Sequence, residues 1–192
     1  YAARERIKKI FENKLPVLVS FSGGKDSIVL ADLVYKLAIS GQIDKSLIEV
    51  VFIDEEAVYD EVIELTKKWR KKFMSAGIKF TWYCIEVKHF NALNTLADEE
   101  TFICWDRFKK DVWVRPMPDF AVKDHPLLIP RKDSYQAFIG RLNEVEGSLS
   151  IMGTRAAESV QRLTNFAKQT SPFASDVRTS PIYDMTDKDV WK

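Results

Sequence analysis

A glycine turn between an apolar run and an amphipathic segment constrains this chain more than any other feature. The run Val17 to Val19 is short, β-branched and preceded by Pro16, a pattern typical of a buried strand. The apolar residues after the turn recur at spacings of three and four, which predicts a helix with one apolar face: Ile28, Leu30, Leu33, Val34 and Leu37. Residues 20–27, SFSGGKDS, therefore join a strand directly to a helix N-terminus.

This junction has the properties of an anion site. Adjacent glycines let the backbone approach a ligand closely, and the free N–H groups of a first helical turn favour negative charge. Lys25 adds a cation, while Ser22 and Ser27 add hydroxyl donors. The pattern differs from the Walker loop, in which the two glycines are separated by four residues. We therefore predict a phosphate-binding loop of another type.

A second apolar run, Leu47 to Ile53, completes a β-α-β unit and predicts an α/β fold with a mostly parallel sheet. Asp54 follows this strand, at the edge of the sheet where ligands of open α/β folds bind. It could bind ribose hydroxyls or a magnesium ion, or it could begin the acidic N-terminus of the next helix. For Glu55 and Glu56 we favour the helix-terminus interpretation.

The remaining regular elements follow the same periodicities. We predict a helix at Arg4 to Glu12, a helix with an apolar stripe from Val58 to Phe73, a strand at Ile78 to Val87, a helix that Asp133 caps together with Gln136, a strand at Leu149 to Met152, an extended piece at Ser180 to Asp184 and a helix from Thr186. The arrangement predicts helices on both faces of the sheet.

Residues 88–132 interrupt this alternation. Four prolines and several aromatic residues replace any clear period, and residues 107–132 carry seven basic and three acidic side chains. Long irregular segments in compact domains are usually functional, so we predict an insertion that covers the substrate. Cys104 could be a reactive thiol, but it has no visible partner, and Cys84 suits a buried apolar position. His89 and His125 are interpreted as structural or exposed.

Composition limits the remaining possibilities. The 192 residues are 46% hydrophobic, enough for one core, and we expect one domain across 1–192. A formal net charge of +1 gives no strong nucleic-acid signal, and no apolar run is long enough to cross a membrane. Two cysteines make no disulfide framework, which favours a cytoplasmic location. Because the chain starts at Tyr1 rather than at Met and stops at Lys192, we expect natural sequence to be missing at both ends, with a truncated C-terminus.

The SGGKDS loop resembles the pyrophosphate loop of the ATP-pyrophosphatase group of the adenine nucleotide alpha hydrolase-like (HUP) superfamily. The pattern formed by Gly153, Arg155, Ser159 and Arg162 resembles the sulfonucleotide-binding motif of PAPS (phosphoadenylyl sulfate) and APS reductases. The segment from Pro181 to Trp191 is similar to a segment of those reductases and of ATP sulfurylase small subunits. The stretches FIDEE and WVRPMP look like signatures of a PAPS reductase-like group in bacterial and prophage genomes.

The resemblance implies a doubly wound sheet and a set of site residues. Lys25 would offset charge on a leaving pyrophosphate, and Asp26 would position Mg²⁺ through the phosphates or hold the loop. The implied nucleotide contacts are Ser20, Phe21, Ser22, Gly23, Gly24, Lys25, Asp26, Ser27, Asp54, Gly153, Arg155 and Arg162. The likeness to a small subunit also allows a partner subunit or a homo-oligomer.

Three functions are compatible with this resemblance. The first is an enzyme that binds ATP and Mg²⁺ and transfers AMP to sulfate or a related acceptor, because the intact loop suits pyrophosphate as the leaving group. The second is a PAPS or APS reductase whose catalytic cysteine lies outside this chain, since no E-C-G-[IL]-H motif is present. The third is a regulator that binds a nucleotide without turnover. Fold alone does not choose among them.

Overall fold

The computed structural model describes residues 2–90, 100–168 and 178–191. In chain order, the helices and strands are α1 (Ala2–Phe11), β1 (Val17–Ser20), α2 (Lys25–Ile39), β2 (Ile48–Ile53), α3 (Asp60–Ser75), β3 (Lys79–Tyr83), β4 (Lys88–Phe90), β5 (Thr101–Ile103), α4 (Tyr135–Glu146), β6 (Leu149–Ile151), α5 (Val160–Lys168), β7 (Arg178–Thr179) and α6 (Asp187–Val190). Short 3₁₀ segments occupy Lys45–Leu47, Arg107–Val112 and Ala156–Glu158.

Five parallel strands form one sheet in the order β3-β2-β1-β6-β7, and helices flank it. The chain moves from β1 towards one edge through β2 and β3, then returns beside β1 as β6 and continues towards the other edge. The doubly wound α/β fold expected from the sequence is therefore confirmed. Strand order reverses between β1 and β6, and open sheets of this kind bind ligands beyond the carboxyl ends of their strands at such a point.

The C-terminal strand differs from the prediction. The expected extended piece, Ser180 to Asp184, is a turn in which the Tyr183 N–H donates to the Ser180 carbonyl at 3.1 Å. Arg6 of α1 holds this turn by pairing with Asp184 at 2.5 Å and by donating to the Pro181 carbonyl at 3.0 Å. The strand lies just upstream, at Arg178–Thr179, where two residues give no detectable alternation in sequence.

The third strand is shorter than predicted because the irregular segment takes over its hydrogen bonds. The strand ends at Tyr83 rather than Val87. The Val122 N–H donates to the Trp82 carbonyl at 2.8 Å, and the Cys84 N–H donates to the Val122 carbonyl at 2.9 Å. Residues 84–87 remain buried but leave the sheet. Within the segment, β4 and β5 form a separate antiparallel pair.

The cap of α4 is also different. Asp133 was expected to cap this helix together with Gln136, but the Ser134 hydroxyl accepts the Ala137 N–H at 3.2 Å instead. The Asp133 carboxylate accepts the Ile129 N–H at 2.7 Å and pairs with Arg141. A serine is as good an N-cap as an aspartate, so the preceding loop decides which one is used. The predicted stop is confirmed, with Gly147 at a φ of 62°.

Among the residues that the structure describes, the longest helix is α3, which contains 16 residues. Across residues 2–90, 100–168 and 178–191, none of the helices combines the length and the apolar composition needed to span a bilayer.

Candidate functional site

A cavity of about 510 Å³ opens beyond the carboxyl ends of β1, β2 and β6. This volume lies within the range of small-molecule and cofactor sites. Nine of the predicted site residues line it: Ser20, Phe21, Ser22, Gly24, Lys25, Asp26, Ser27, Gly153 and Arg162. The fold thus brings the loop after β1 and the turn after β6 to one crevice. Gly23, Asp54 and Arg155 are not part of its lining.

Hydrogen bonds of two serine hydroxyls fix the loop after β1, and no side chain caps the N-terminus of α2. The Ser27 hydroxyl donates to the Gly24 carbonyl at 2.8 Å and accepts the Ser22 N–H at 3.2 Å. The two serine hydroxyls lie 3.1 Å apart. Gly24 is the N-cap of α2 and has no side chain to bind the first N–H groups of that helix. The end of α2 therefore offers its backbone donors to a ligand in the cavity.

Two glycines are required by close contacts around this loop. Gly23 has a φ of +75°, and a Cβ there would lie 2.5 Å from Cγ1 of Val62 on α3. A Cβ at Gly153 would lie 2.8 Å from the backbone of Asp26 and Ser27. The turn after β6 therefore packs directly on the backbone of the first turn of α2, and only glycine permits that distance. Gly23 shapes the loop and does not face the cavity.

Arg155 lies beneath the cavity instead of lining it. Its side chain is 1% exposed, and its Nε donates to Oδ1 of Asp26 at 2.8 Å. One terminal nitrogen donates to Oδ1 of Asp187 at 2.9 Å and the other to the Met185 carbonyl at 3.2 Å. Lys25 lies 3.2 Å from the same Asp187 oxygen. Hydrogen bonds from Arg155 and Lys25 lower the pKa of Asp187 below its usual range. The network ties the start of α2 to the start of α6.

Arg162, by contrast, is partly exposed and lines the cavity. It pairs with Glu158, which also accepts the Arg155 N–H at 3.0 Å. Burial acts to raise the pKa of Glu158, but the hydrogen bonds from the Arg155 N–H and from Arg162 outweigh it and hold that pKa low. The two arginines of the predicted sulfonucleotide motif therefore have different positions. Arg155 supports the glycine loop, and Arg162 lines the cavity.

Asp54 is fully buried and supports the chain after β2. Trp82 Nε1 donates to one carboxylate oxygen at 3.0 Å, and the other accepts the Glu56 N–H at 3.0 Å and pairs with Arg115. Trp105 Nε1 donates to the Asp54 carbonyl at 2.7 Å. The FIDEE and WVRPMP stretches thus contact each other. This geometry gives no support to Asp54 as a ribose or Mg²⁺ ligand.

Both cysteines are buried away from the cavity. Each is 0% exposed, and neither lines the cavity. Burial, followed by the negative charges of Glu55, Glu56 and Asp54, raises the pKa of Cys104 to about 12. Burial also raises the pKa of Cys84, with a smaller contribution from Asp54. A thiol must ionise to act as a nucleophile, so neither side chain has the character of a catalytic cysteine.

Several lining residues were not identified from the sequence. Arg178 of β7 and Tyr135, Gln136 and Ile139 of α4 contribute to the wall. Glu55 also lines the cavity, and the helix-terminus interpretation favoured for it is wrong, because α3 begins only at Asp60. Arg178 is an isolated basic residue that belongs to no motif, so nothing in the sequence marks it. The irregular segment was expected to cover the substrate, but none of its described residues, 88–90 and 100–132, lines the cavity. Its covering role stays a prediction.

The described residues around the cavity do not by themselves form a magnesium site. Among the described parts of the chain, no three side chains of the metal-binding types come together. The Asp26 carboxylate, which the sequence suggested for Mg²⁺, accepts from Arg155. Mg²⁺ usually binds through one or two carboxylates together with substrate phosphates, so an ion here would depend on the phosphates.

Comparison with known proteins gives several similarities. The chain is 29% identical to the uncharacterized protein YbdN of Escherichia coli K12, covering 99% of this chain and 50% of that protein, so it spans about half the length of this curated relative. Three solved structures resemble 98% of the chain. They are the FMN adenylyltransferase of Candida glabrata (14% identity, 52% of that chain, TM-score 0.49), the U34-tRNA thiolase NcsA of Methanococcus maripaludis (13%, 61%, 0.48) and the NH3-dependent NAD synthetase of Campylobacter jejuni (10%, 69%, 0.47).

With such low identities and TM-scores, these three structures give no information about the function of this chain. The sequence model of the phosphoadenosine phosphosulfate reductase domain is more informative, because it matches residues 16–192. That match begins at β1 and includes the glycine loop, the turn after β6 and the start of α6. The chain therefore belongs to the phosphoadenosine phosphosulfate reductase domain family.

Proposed function

We propose that this protein binds ATP in the cavity and cleaves it between the α- and β-phosphates, transferring AMP to a small acceptor. The observation that carries the proposal is the loop geometry, in which two serine hydroxyls and the uncapped N-terminus of α2 face one cavity. A pyrophosphate group matches these donors in charge and in hydrogen-bonding capacity. The family description supports a nucleotide ligand but leaves the reaction open.

The walls of the cavity suggest how the nucleotide lies. Its β2 side is largely apolar, with Val51, Phe52, Ile53 and Val58 in the lining. Such a wall suits a purine base, and Glu55 on the same side can accept hydrogen bonds from ribose hydroxyls. The β- and γ-phosphates would then lie in the loop between Ser22 and Ser27. The α-phosphate would face the turn after β6.

The transfer forms one bond and breaks one bond. An acceptor oxygen attacks the α-phosphorus, the bond from that phosphorus to the bridging oxygen breaks, and the electron pair leaves with pyrophosphate. The loop amides and Lys25 stabilise the charge that develops on the leaving group. Lys25 reaches this position by leaving Asp187. The two side chains are 41% and 70% exposed, so the exchange costs little. Positioning and electrostatics carry the catalysis.

Magnesium enters this scheme as part of the substrate. Mg²⁺ bound to the phosphate oxygens would neutralise part of their charge. Asp26 contributes by keeping the loop in place through Arg155, and it is one of the residues that line the cavity.

A sulfonucleotide reductase is the second candidate, because the domain family to which the chain belongs is described by that activity. That reaction needs an accessible thiolate. The chain contains two cysteines, and both are buried with raised pKa values. A reductase activity would therefore depend on a cysteine from outside this chain. A nucleotide-binding regulator would share the cavity but show no turnover.

ATP–pyrophosphate exchange tests the proposal. The wild-type protein is incubated with ATP, Mg²⁺ and labelled pyrophosphate, with a panel of oxyanions and small carboxylic acids as acceptors. We expect label to enter ATP with at least one acceptor and Lys25→Ala to lose most of the exchange. Arg4→Gln, an exposed charge change on α1, is the control. Tight binding of PAPS or adenosine 3′,5′-bisphosphate without exchange on any acceptor contradicts the adenylyl-transfer proposal.

A further inference from the structure

A histidine of the irregular segment contacts two residues of the cavity wall without lining the cavity itself. His89 lies on β4, and its Nδ1 atom is 3.8 Å from Oε1 of Glu55. The His89 ring also stacks on Tyr135, with the ring centroids 6.4 Å apart and the planes at 28°. Glu55 and Tyr135 both line the cavity. The loop after β2, strand β4 and helix α4 therefore meet at one point of the wall.

The position of His89 is fixed by its other neighbours. Phe102 of β5 lies directly opposite it in the antiparallel pair, and the two rings meet edge to face with centroids 5.4 Å apart. The Lys88 N–H donates to the Asp133 carbonyl at 2.7 Å, which ties β4 to the loop before α4. Nδ1 of an imidazole is a donor whenever it carries a proton. A ring held in this way can therefore restrict the orientation of the Glu55 carboxylate.

The polar groups at this point of the wall suit a ligand that donates hydrogen bonds. Burial raises the pKa of Tyr135, the charge of Glu55 raises it further, and the charges of Arg178 and Arg162 act in the opposite direction. The net effect is a raised pKa, so the Tyr135 hydroxyl keeps its proton and can both donate and accept. The Glu55 carboxylate only accepts when it is ionised. Neutral hydroxyl groups of a ligand match this pair.

We propose that Glu55 binds the ribose hydroxyls, with His89 as its positioning residue, so that the cavity selects nucleotides whose 2′- and 3′-hydroxyls are both free. This inference rests on the proposed function, in which the base lies on the β2 side. Two hydroxyls on neighbouring carbons can donate to the two oxygens of one carboxylate. A 2′-deoxy nucleotide leaves one of those oxygens without a donor, and a 3′-phosphate brings a second negative charge against the carboxylate.

Displacement of labelled α,β-methylene ATP tests this selectivity. The competing ligands are AMP, 2′-deoxy-AMP and adenosine 3′,5′-bisphosphate, which differ only at the ribose. We expect AMP to bind the wild-type protein about tenfold or more tightly than either of the others, because a hydrogen bond to a charged group is lost or like charges meet. Glu55→Gln keeps the shape of the side chain. It should reduce both preferences to about threefold or less, since a neutral hydrogen bond is weaker.

The same three affinities test the role of His89. His89→Ala should reduce the preference for AMP, whereas a merely structural role would weaken all three ligands alike. His89→Asn should recover part of the preference, because its amide N–H can take the place of Nδ1. Lys88→Gln, an exposed charge change on the same strand, is the control and should leave all three affinities within about twofold of the wild type. The circular dichroism spectra of the variants should match that of the wild type.

Three results overturn the inference. They are equal affinities for the three ligands, tighter binding of adenosine 3′,5′-bisphosphate than of AMP, and preferences that stay unchanged in Glu55→Gln or in His89→Ala. Tighter binding of the bisphosphate would assign a 3′-phosphate to the side of the cavity that carries Arg162.

The proposed function fails in a different way. If the predicted preference is found but ATP–pyrophosphate exchange is absent with every acceptor, the ribose site stands and the adenylyl transfer is wrong. If exchange occurs while the three ligands bind equally, the ribose site alone is wrong. If α,β-methylene ATP does not bind at all, both are wrong.

Discussion

Replacing Arg155 by methionine should reduce stability sharply, because it leaves the Asp26 carboxylate without its buried partner. The Arg155 side chain is 1% exposed and that of Asp26 is 9% exposed. Removing one partner of a buried ion pair costs about 3–5 kcal/mol. Asp26 keeps some contact with water, so we expect the lower end, about 3 kcal/mol. For a chain of this size, that loss lowers the midpoint of thermal unfolding by roughly 6–12 °C.

A double-mutant cycle separates the pair from other losses. Denaturant unfolding is measured for wild type, Arg155→Met, Asp26→Asn and the double variant. In the double variant no buried charge is left unpaired, so its loss should be smaller than the sum of the single losses by about 2 kcal/mol. Arg155→Met and the double variant both lose the hydrogen bond from Arg155 to the Met185 carbonyl, so this loss cancels in the cycle.

Arg155→Met also shows whether Arg155 supports the glycine loop or contacts the nucleotide directly. If Arg155 only holds the loop, Arg155→Met should lose stability in the absence of nucleotide, and Arg155→Lys should recover part of it. If Arg155 contacts the nucleotide, Arg155→Met should leave the unfolding midpoint almost unchanged and reduce nucleotide affinity. Additive losses across the cycle, or an unchanged midpoint, would refute the assignment of Arg155 as a positioning residue.

Three further predictions concern Gly153, Asp187 and the two buried cysteines. Gly153→Ala should destabilise the fold by about 1–3 kcal/mol in urea unfolding, since the new Cβ meets the backbone of α2; a loss below 0.5 kcal/mol contradicts this close contact. Asp187→Asn frees Lys25, so pyrophosphate should bind a few-fold more tightly in calorimetry, and weaker binding would show that the contact with Asp187 assists the site. Raised pKa values keep Cys84 and Cys104 protonated when folded, while unfolded thiols ionise near pH 8.5. Stability should therefore fall above about pH 8.5, by about 1.4 kcal/mol per pH unit for each thiol, and Cys104→Ala should show a shallower fall.

The periodic parts of the fold could be predicted because local pattern and burial agree there. The run at Val17 and the stripe after Ile28 are each covered on the faces that their sequence indicates. The two-residue strand at Arg178 could not be found, because two residues carry no period. Strand β3 was overestimated because Cys84 is as buried as a strand residue but bonds to Val122 in the irregular segment.

The site was harder to predict, since residue type does not reveal which way a side chain faces. Asp54 and Arg155 have the chemistry of ligand contacts, but both are buried and bonded within the protein. Arg178 has no motif around it and lies in the cavity only because β7 pairs with β6. The course of the glycine loop could be predicted, because the strand before it and the helix after it both follow from the local pattern. Its role in binding phosphate stays a prediction.

The identity of the product tests the central claim most directly. The protein is incubated with Mg²⁺, sulfate or another active acceptor, and ATP labelled in the γ-phosphate, and the labelled product is separated by chromatography. Cleavage between the α- and β-phosphates predicts labelled pyrophosphate and an equal amount of AMP or its adduct, both reduced in Lys25→Ala. Labelled orthophosphate with ADP, or no product at all from a protein that binds PAPS tightly, would contradict the account.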